Sequence, residues 1–332
     1  MRKSSHVVQG VRVNVLCENP LESFVSSCFN SLYRGEERSD IKPLEFELYV
    51  VEEPPSVPSS SIQMSKTPFV TSSSDNKEIY LTSEDGSMIC LNSNTRDAKG
   101  FIKKETLNDP IRLSSLIGMS IVEILKYHNL YFLHSAALYS GGMGYLISGD
   151  GGCGKTTISL SLVRGGFKYV SDDSLFIQEL NEEIVVCPLY TSFHIDQDLA
   201  ERFPEMVRGK NLRIPDGVKV SVDISQTFPA SFIPYIRPDV VIFPSIKSNE
   251  ESQLHPISRI EVYRRLLKQT VLAADKVVSR NHIRTLGKLV KQTVGFELLS
   301  GGDVYEDPEK IISLVSRIND QNGDRDILPS LV

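Results

Sequence analysis

The stretch YLISGDGGCGKTTISLSLVRGGFKYVSDD, residues 145–173, decides the fold. Its apolar start, Tyr145–Ser148, predicts a buried strand, and a glycine-rich turn leads from it into Lys155–Arg164, which has the spacing of a helix. Two glycines predict the end of that helix, and Lys168–Ser171 predicts a second strand. The order strand, loop, helix, strand is typical of a parallel or mixed sheet packed by helices. We therefore expect an α/β fold.

The glycine-rich turn matches the pattern G-x-x-x-x-G-K-[ST]. Glycines adopt backbone angles that other residues resist, so successive N–H groups can converge on phosphate oxygens. The helix behind the turn adds the positive end of its dipole. Lys155 is expected to reach the β- and γ-phosphates, and the Thr156 hydroxyl is expected to bind Mg²⁺. The pattern thus predicts a site for ATP, or another nucleoside triphosphate, with Mg²⁺. The predicted nucleotide-binding residues are Gly149, Asp150, Gly151, Gly152, Cys153, Gly154, Lys155, Thr156 and Thr157.

Two acids, Asp172 and Asp173, follow Lys155 by 17 and 18 residues. Only one helix and one turn separate them from the loop, so we expect their strand to lie beside the strand that precedes the loop. Adjacent side chains of a strand point in different directions. One carboxylate can then hold the metal while the other accepts a proton from an attacking hydroxyl. The alternative is an Asp pair that caps the next turn.

A histidine, His134, lies 15 residues before Gly149, on the segment that leads into the loop strand. By itself it is as compatible with a core position as with a catalytic one.

Together these features resemble the HPr kinase/phosphorylase family and, more distantly, the ATP-dependent phosphoenolpyruvate carboxykinases. The resemblance covers residues 130–180 clearly and the remainder loosely. It is carried by LHSAAL at residues 133–138, the glycine loop at 149–157, the glycine pair at 165–166 and VSDD at 170–173. It implies a P-loop kinase domain with a mixed β-sheet packed by helices, and ATP and Mg²⁺ as cofactors.

The resemblance also implies roles for individual residues. Asp173 corresponds to the proton acceptor for the substrate hydroxyl. Asp172 and Thr156 correspond to groups on the metal side, and His134 and Lys155 to active-site residues.

The chain departs from the family pattern at Thr156-Thr157, where the bacterial regulatory kinases have Ser-Glu. It also lacks the glycine-rich signature loop linked with phosphorylase activity, so the resemblance does not extend to a reverse, dephosphorylating reaction. The layout is more similar to the HPr-kinase-like proteins of peptide natural-product gene clusters, in length, in a β-rich front domain and in the tail Phe296–Leu299 with Gly301–Val304. Members of that group phosphorylate a serine near the C-terminus of a ribosomally made precursor peptide, such as a lasso-peptide precursor.

The sequence leaves three functions open. The first is a kinase for the serine hydroxyl of a peptide or protein, and the second is a small-molecule kinase acting on free serine or a similar compound. The third is a nucleotide-sensing module without chemistry, against which the joint presence of the loop, the acid pair and His134 weighs. The expected partner is a peptide or protein with an acceptor serine. The sequence leaves open whether the protein forms a homo-oligomer.

Two domains and a tail are predicted. Residues 1–108 form a small, mostly antiparallel β-rich N-terminal domain, residues 109–320 the P-loop catalytic domain, and residues 321–332 a polar tail. The second domain begins with a helix whose first turn contains Pro110. Further elements are predicted at residues 10–16, 44–51, 78–82, 88–91, 131–139 and 239–243 for strands, and 258–272, 280–293 and 307–318 for helices.

Composition excludes several classes of protein. The formal net charge of −6 gives no overall basic field for nucleic acid. No uncharged apolar stretch approaches the roughly 18 residues of a membrane span, and the N-terminal residues lack the apolar block of a secretory signal. We expect a cytoplasmic protein.

The five cysteines form no CxxC pair, which argues against a disulfide framework and structural zinc. Cys153 is interpreted as a variable loop position.

Two further groups of charged residues are noted. A polar stretch at residues 193–223 could contribute a cation for the transferring phosphoryl group, from Arg208, Lys210, Arg213 or Lys219. The alternative, which the sequence favours for each single residue, is a solvated loop and helix face. A later helix places Glu261 at the spacing of an ion pair with both Arg264 and Arg265.

Overall fold

The computed structural model describes residues 1–75, 77–207, 214, 219–247, 251–303 and 308–322. It is a mixed α/β structure in which the chain forms two compact units. The first unit comprises Met1–Tyr131 and Val271–Ile283, and the second comprises Phe132–Thr270 and Arg284–Val332. Among the described helices, none combines the length and apolar composition needed to cross a bilayer.

The first unit is built on an eight-stranded sheet in the order β1-β2-β3-β8-β7-β6-β5-β4. Strand β3 pairs in parallel with both β2 and β8, and the other neighbours are antiparallel. This agrees with the predicted β-rich, mostly antiparallel character. The strands are β1 (Arg2–Val8), β2 (Val11–Cys17), β3 (Leu44–Val51), β4 (Ile62–Lys66), β5 (Thr71–Ser74), β6 (Glu78–Thr82), β7 (Met88–Asn92) and β8 (Ala98–Lys103).

Helix α2 (Pro110–Lys126) is part of the first unit. Asp109 caps this helix by accepting the Arg112 N–H at 3.0 Å, and Pro110 occupies its first turn. Its apolar face packs against β6 and β7. In the structure α2 lies in the first unit, because its apolar face is buried on the sheet of that unit. The domain boundary after residue 108 stays a prediction. Helix α1 (Glu22–Ser31), between the parallel strands β2 and β3, was not predicted.

A buried histidine gives the first unit a dependence on pH. His282, near the middle of a helix at Lys276–Gln292, stacks on Tyr131 with ring centroids 4.5 Å apart. Burial and, as the smaller cause, the charge of buried Lys126 together lower the pKa of His282 to about 3. The folded state thus takes up the proton less readily than the unfolded chain, and stability is lost as the pH falls from about 6.5 towards 3.

We expect His282→Phe to flatten this acid limb, since phenylalanine keeps the stacking and cannot titrate. Chemical denaturation between pH 7 and pH 4 measures the free energy of unfolding. In the wild type, His282 should account for a loss of roughly 1.4 kcal/mol in the free energy of unfolding for each pH unit below about 6.5. The same change at exposed His255 serves as the control, and equal acid limbs in wild type and His282→Phe would contradict the assignment.

The second unit is built on a sheet in the order β13-β12-β9-β10-β16-β18-β17, with β11 also paired to β9. A separate ribbon joins β14 and β15. The strands are β9 (Tyr131–Ser140), β10 (Met143–Ser148), β11 (Lys168–Ser171), β12 (Ser174–Leu180), β13 (Glu183–Pro188), β14 (Phe193–Ile195), β15 (Val220–Val222), β16 (Val240–Ile246), β17 (Gln253–Ile257) and β18 (Val294–Ser300). The helices are α3 (Lys155–Arg164), α4 (Gln197–Arg202), α5 (Arg259–Lys268), α6 (Lys276–Gln292, shared with the first unit) and α7 (Pro308–Asn322).

The strand order corrects one prediction. Strand β11, which carries the acid pair at its end, does not lie beside β10. Both pair antiparallel with β9, which lies between them. The reason is the tight turn at Gly141-Gly142, whose positive φ angles of 59° and 83° fold β9 directly back onto β10 and occupy that neighbouring position.

The core of the second unit holds the loop strand and the loop helix in place. Ile147 of β10 and Ile158 and Leu162 of α3 are buried in one apolar cluster with residues of α7. Helix α5 is braced by Glu261, which accepts hydrogen bonds from Arg264 and Arg265 at 2.6 Å each, so that predicted pairing is confirmed.

Candidate functional site

The sheet brings three separate parts of the sequence to one edge. Strands β10 and β11 both run opposite to β9, so their carboxyl ends lie at the edge where β9 begins. Ser148, the last residue of β10, is directly opposite Ser135, and their hydroxyl groups are hydrogen-bonded at 2.8 Å. His134 is therefore next to the start of the glycine loop, and the acid pair emerges on the other side of the same strand.

The glycine loop connects β10 to α3 through three residues with positive φ. Gly149 has φ 157°, Gly152 81° and Gly154 94°, and Gly154 forms the start of the helix. These left-handed angles favour glycine, which explains the spacing of the motif. Gly151 and Gly152 have open space where a side chain would be, so the backbone is accessible on this side. Such a loop at a helix N-terminus suits an oxyanion.

Lys155 provides the positive charge of the loop. Its side chain is 6% exposed, and its Nζ donates to the carbonyl oxygens of Gly149 at 2.7 Å and Asp150 at 3.2 Å. The ammonium group is thus held over the loop by neutral acceptors. The position of the ammonium group fits a bound phosphate. The carbonyl dipoles offset its charge only in part, and an anion would offset the rest.

His134 and Asp173 form a contact pair. His134 Nδ1 lies 3.2 Å from Asp173 Oδ1, and the two side chains are 31% and 37% exposed. Burial lowers the pKa of His134, the charges of Lys155 and Lys219 lower it further, and Asp173 opposes them. The ring is consequently neutral near pH 7, and the contact is one between a neutral imidazole and a carboxylate rather than an ion pair.

Asp172 lies with Asp173 in the bend between β11 and β12, but its surroundings are different. It is 1% exposed, and its Oδ2 accepts the backbone N–H of His194, in strand β14, at 3.1 Å. Burial raises the pKa of the Asp172 carboxyl to about 7, although the hydrogen bond from His194 lowers it. Asp172 therefore anchors β14 to the end of β11, and a metal ion would have to approach its second oxygen.

Among the described residues, a magnesium ion would find few protein ligands here. No group of three or more His, Cys, Asp or Glu side chains in the described part of the chain is arranged to hold a metal. Thr156 and Asp172 together supply at most two ligand groups. That number fits Mg²⁺, which proteins usually bind with one or two carboxylates while substrate phosphates and water complete the octahedron.

Three residues of the site were missed or undervalued by the sequence reasoning. Gln269, just after α5, donates from Nε2 to Asp150 Oδ1 at 2.7 Å. His194 contacts the acid pair through its backbone, and its buried Nδ1 has no hydrogen-bond partner among the described residues. Lys219 lies close enough for its charge to lower the pKa of both His134 and His194. Only Lys219 was among the predicted cations. Arg208, Lys210 and Arg213 lie outside the described residues.

Cys153 belongs to the loop but shows no sign of a reactive thiol. Burial raises its pKa, and the nearby Lys155 charge does not overcome this effect. The thiol is protonated at neutral pH, which is consistent with a variable loop position.

Comparison with known proteins gives the following. No family model matches the sequence. Among solved structures, the Hpr(Ser) kinase/phosphatase from Coxiella burnetii is similar over 58% of this chain and 98% of that chain, with 15% sequence identity and a TM-score of 0.33. A similarity at that TM-score carries no argument about function.

The site itself defines the class to which we assign the chain: a mixed α/β protein with a glycine loop, a lysine and a His–Asp pair at one sheet edge.

Proposed function

We propose that this protein is an ATP-dependent kinase that transfers a phosphoryl group to a serine hydroxyl of a peptide or protein. The observation that supports the proposal is the close contact of His134 Nδ1 with Asp173 Oδ1 at the sheet edge where the glycine loop begins. A nucleotide-binding loop alone suits a sensor as well as an enzyme. A carboxylate that is half-exposed and oriented by a neutral imidazole adds a group for accepting a proton.

Each residue has a role in the proposed reaction. Asp173 takes the proton of the acceptor hydroxyl while the hydroxyl oxygen forms its bond to the γ-phosphorus and the bond to the β–γ bridging oxygen breaks, leaving ADP. His134 holds Asp173 through Nδ1. Lys155 and the loop N–H groups offset charge on the phosphates. Thr156 and Asp172 are the proposed metal-side groups, and Mg²⁺ supplies further charge neutralisation when bound.

The acceptor is proposed from the resemblance to peptide-tailoring kinases. In that reading the substrate is a ribosomally made precursor peptide with a serine near its C-terminus. Free serine is the competing small-molecule acceptor, since the same catalytic groups serve both.

A transfer assay tests this function. The full chain is incubated with Mg²⁺, γ-labelled ATP and either a panel of peptides with a C-terminal serine or free serine. We expect mass spectrometry to find one added phosphoryl group on a peptide serine and none on the matched Ser→Ala peptide. Label on free serine alone would establish a small-molecule kinase. Nucleotide binding without any transfer would favour the sensing module.

A further inference from the structure

We infer that Gln269 is a positioning residue that couples the glycine loop to the His134–Asp173 pair. The inference rests on the proposed function, because it assigns a role within the same site. Gln269 follows the last turn of α5, where its N–H donates to the Leu266 carbonyl at 2.9 Å, and it is 9% exposed. It lies 119 residues from Asp150 in the sequence and contacts it directly.

Gln269 makes one bond to each half of the site. Its side-chain Nε2 donates to Asp150 Oδ1 at 2.7 Å. Its backbone carbonyl accepts the N–H of His134 at 2.8 Å. One residue thus holds both the loop that would bind the nucleotide and the strand that carries the acceptor-side histidine.

The link continues from Asp150 into the loop. The backbone carbonyl of Asp150 accepts the Cys153 N–H at 3.3 Å and the Lys155 ammonium at 3.2 Å. Gln269 therefore fixes the residue around which the loop turns and to which its lysine is bonded. A shift at the end of α5 would move the lysine and the His134 backbone together, and small misplacements of catalytic groups have large effects on rate.

Both the shape and the neutral charge of the Gln269 side-chain amide matter for its bond to Asp150. In Gln269→Glu a carboxylate faces the Asp150 carboxylate, and like charges at hydrogen-bond distance repel. In the double variant Asp150→Asn with Gln269→Glu, the donor and acceptor are exchanged and the hydrogen bond can form in the opposite direction. Loss and rescue of ATP affinity and of exchange at the loop, rather than of overall stability, would mark Gln269 as a positioning residue.

The experiment measures nucleotide affinity, turnover and hydrogen exchange in the full chain. We expect Gln269→Glu to weaken ATP binding by about tenfold or more and to lower kcat as well. The swapped double variant should recover most of both losses. Without nucleotide, the amide of His134 and the amides of residues 149–155 should exchange faster in Gln269→Glu and Gln269→Ala than in the wild type.

The control is Gln292→Ala. Gln292 also bonds to backbone groups through its side chain, at Ile184 and Pro238, and these bonds do not involve the glycine loop. It should lower thermal stability without changing ATP affinity or loop exchange. Unchanged affinity and exchange in Gln269→Glu, or failure of the swap to restore either, would overturn the inference. A wild type that binds no nucleotide would refute the proposed function, whereas the exchange data would still decide the role of Gln269.

Discussion

Asp173→Asn is expected to abolish phosphoryl transfer while nucleotide binding is retained. Asparagine keeps the size of the side chain and can remain in contact with His134, but it cannot take a proton from the acceptor hydroxyl. General-base catalysis contributes about 10²–10⁴-fold to rate, and we expect a loss of kcat in that range. Steady-state turnover and equilibrium ATP binding measure the two properties separately.

Two comparisons make this prediction specific. Asp198→Asn changes an exposed acid of α4 and should leave kcat unaltered. In Asp172→Asn the proposed metal-side carboxylate is removed, so raised Mg²⁺ should recover part of the lost activity, as it should not in Asp173→Asn. Full activity of Asp173→Asn would show that another group accepts the proton.

Lys155→Met is expected to eliminate most nucleotide binding and transfer together. Methionine is of similar length and apolar, so it fills the buried position without the ammonium group that lies over the loop carbonyls. Loss of a charged group aimed at a transferring phosphoryl costs about 10²–10³-fold in kcat. Calorimetric titration with ATP and the transfer assay are the measurements.

The matched control for this variant is Lys168→Met, at the exposed start of β11. It removes the same charge from the same unit and should change neither ATP affinity nor kcat. Thermal unfolding of both variants shows whether the fold is preserved. If Lys155→Met bound ATP as tightly as the wild type, the glycine loop would not be the phosphate site.

The local parts of the site follow from the sequence because their causes are local. Helix α3 runs from Lys155 to Arg164, as predicted, since it begins at a glycine in the left-handed region and ends at a glycine pair. The acid pair also follows directly on strand β11, whose predicted and observed last residue is Ser171.

Partner choice between strands does not follow in the same way. Side-chain period says which face of a strand is buried, but it does not say which other strand lies alongside. The hairpin between β9 and β10 placed β9 where the sequence had suggested β11. The contact of His134 with Asp173 is a consequence of that order, because β9 then separates the loop strand from the acid strand.

By itself, then, the sequence determined the strand, glycine loop, helix and acid pair at residues 145–173, since each depends on backbone angles and hydrogen bonds within a few residues. Only the tertiary structure decided that Asp172 is buried under β14, that Asp173 is held by His134, and that Gln269 reaches Asp150. Those contacts join residues as many as 119 positions apart. They exist because the sheet and helix α5 bring the residues together, and no local pattern encodes such a distance.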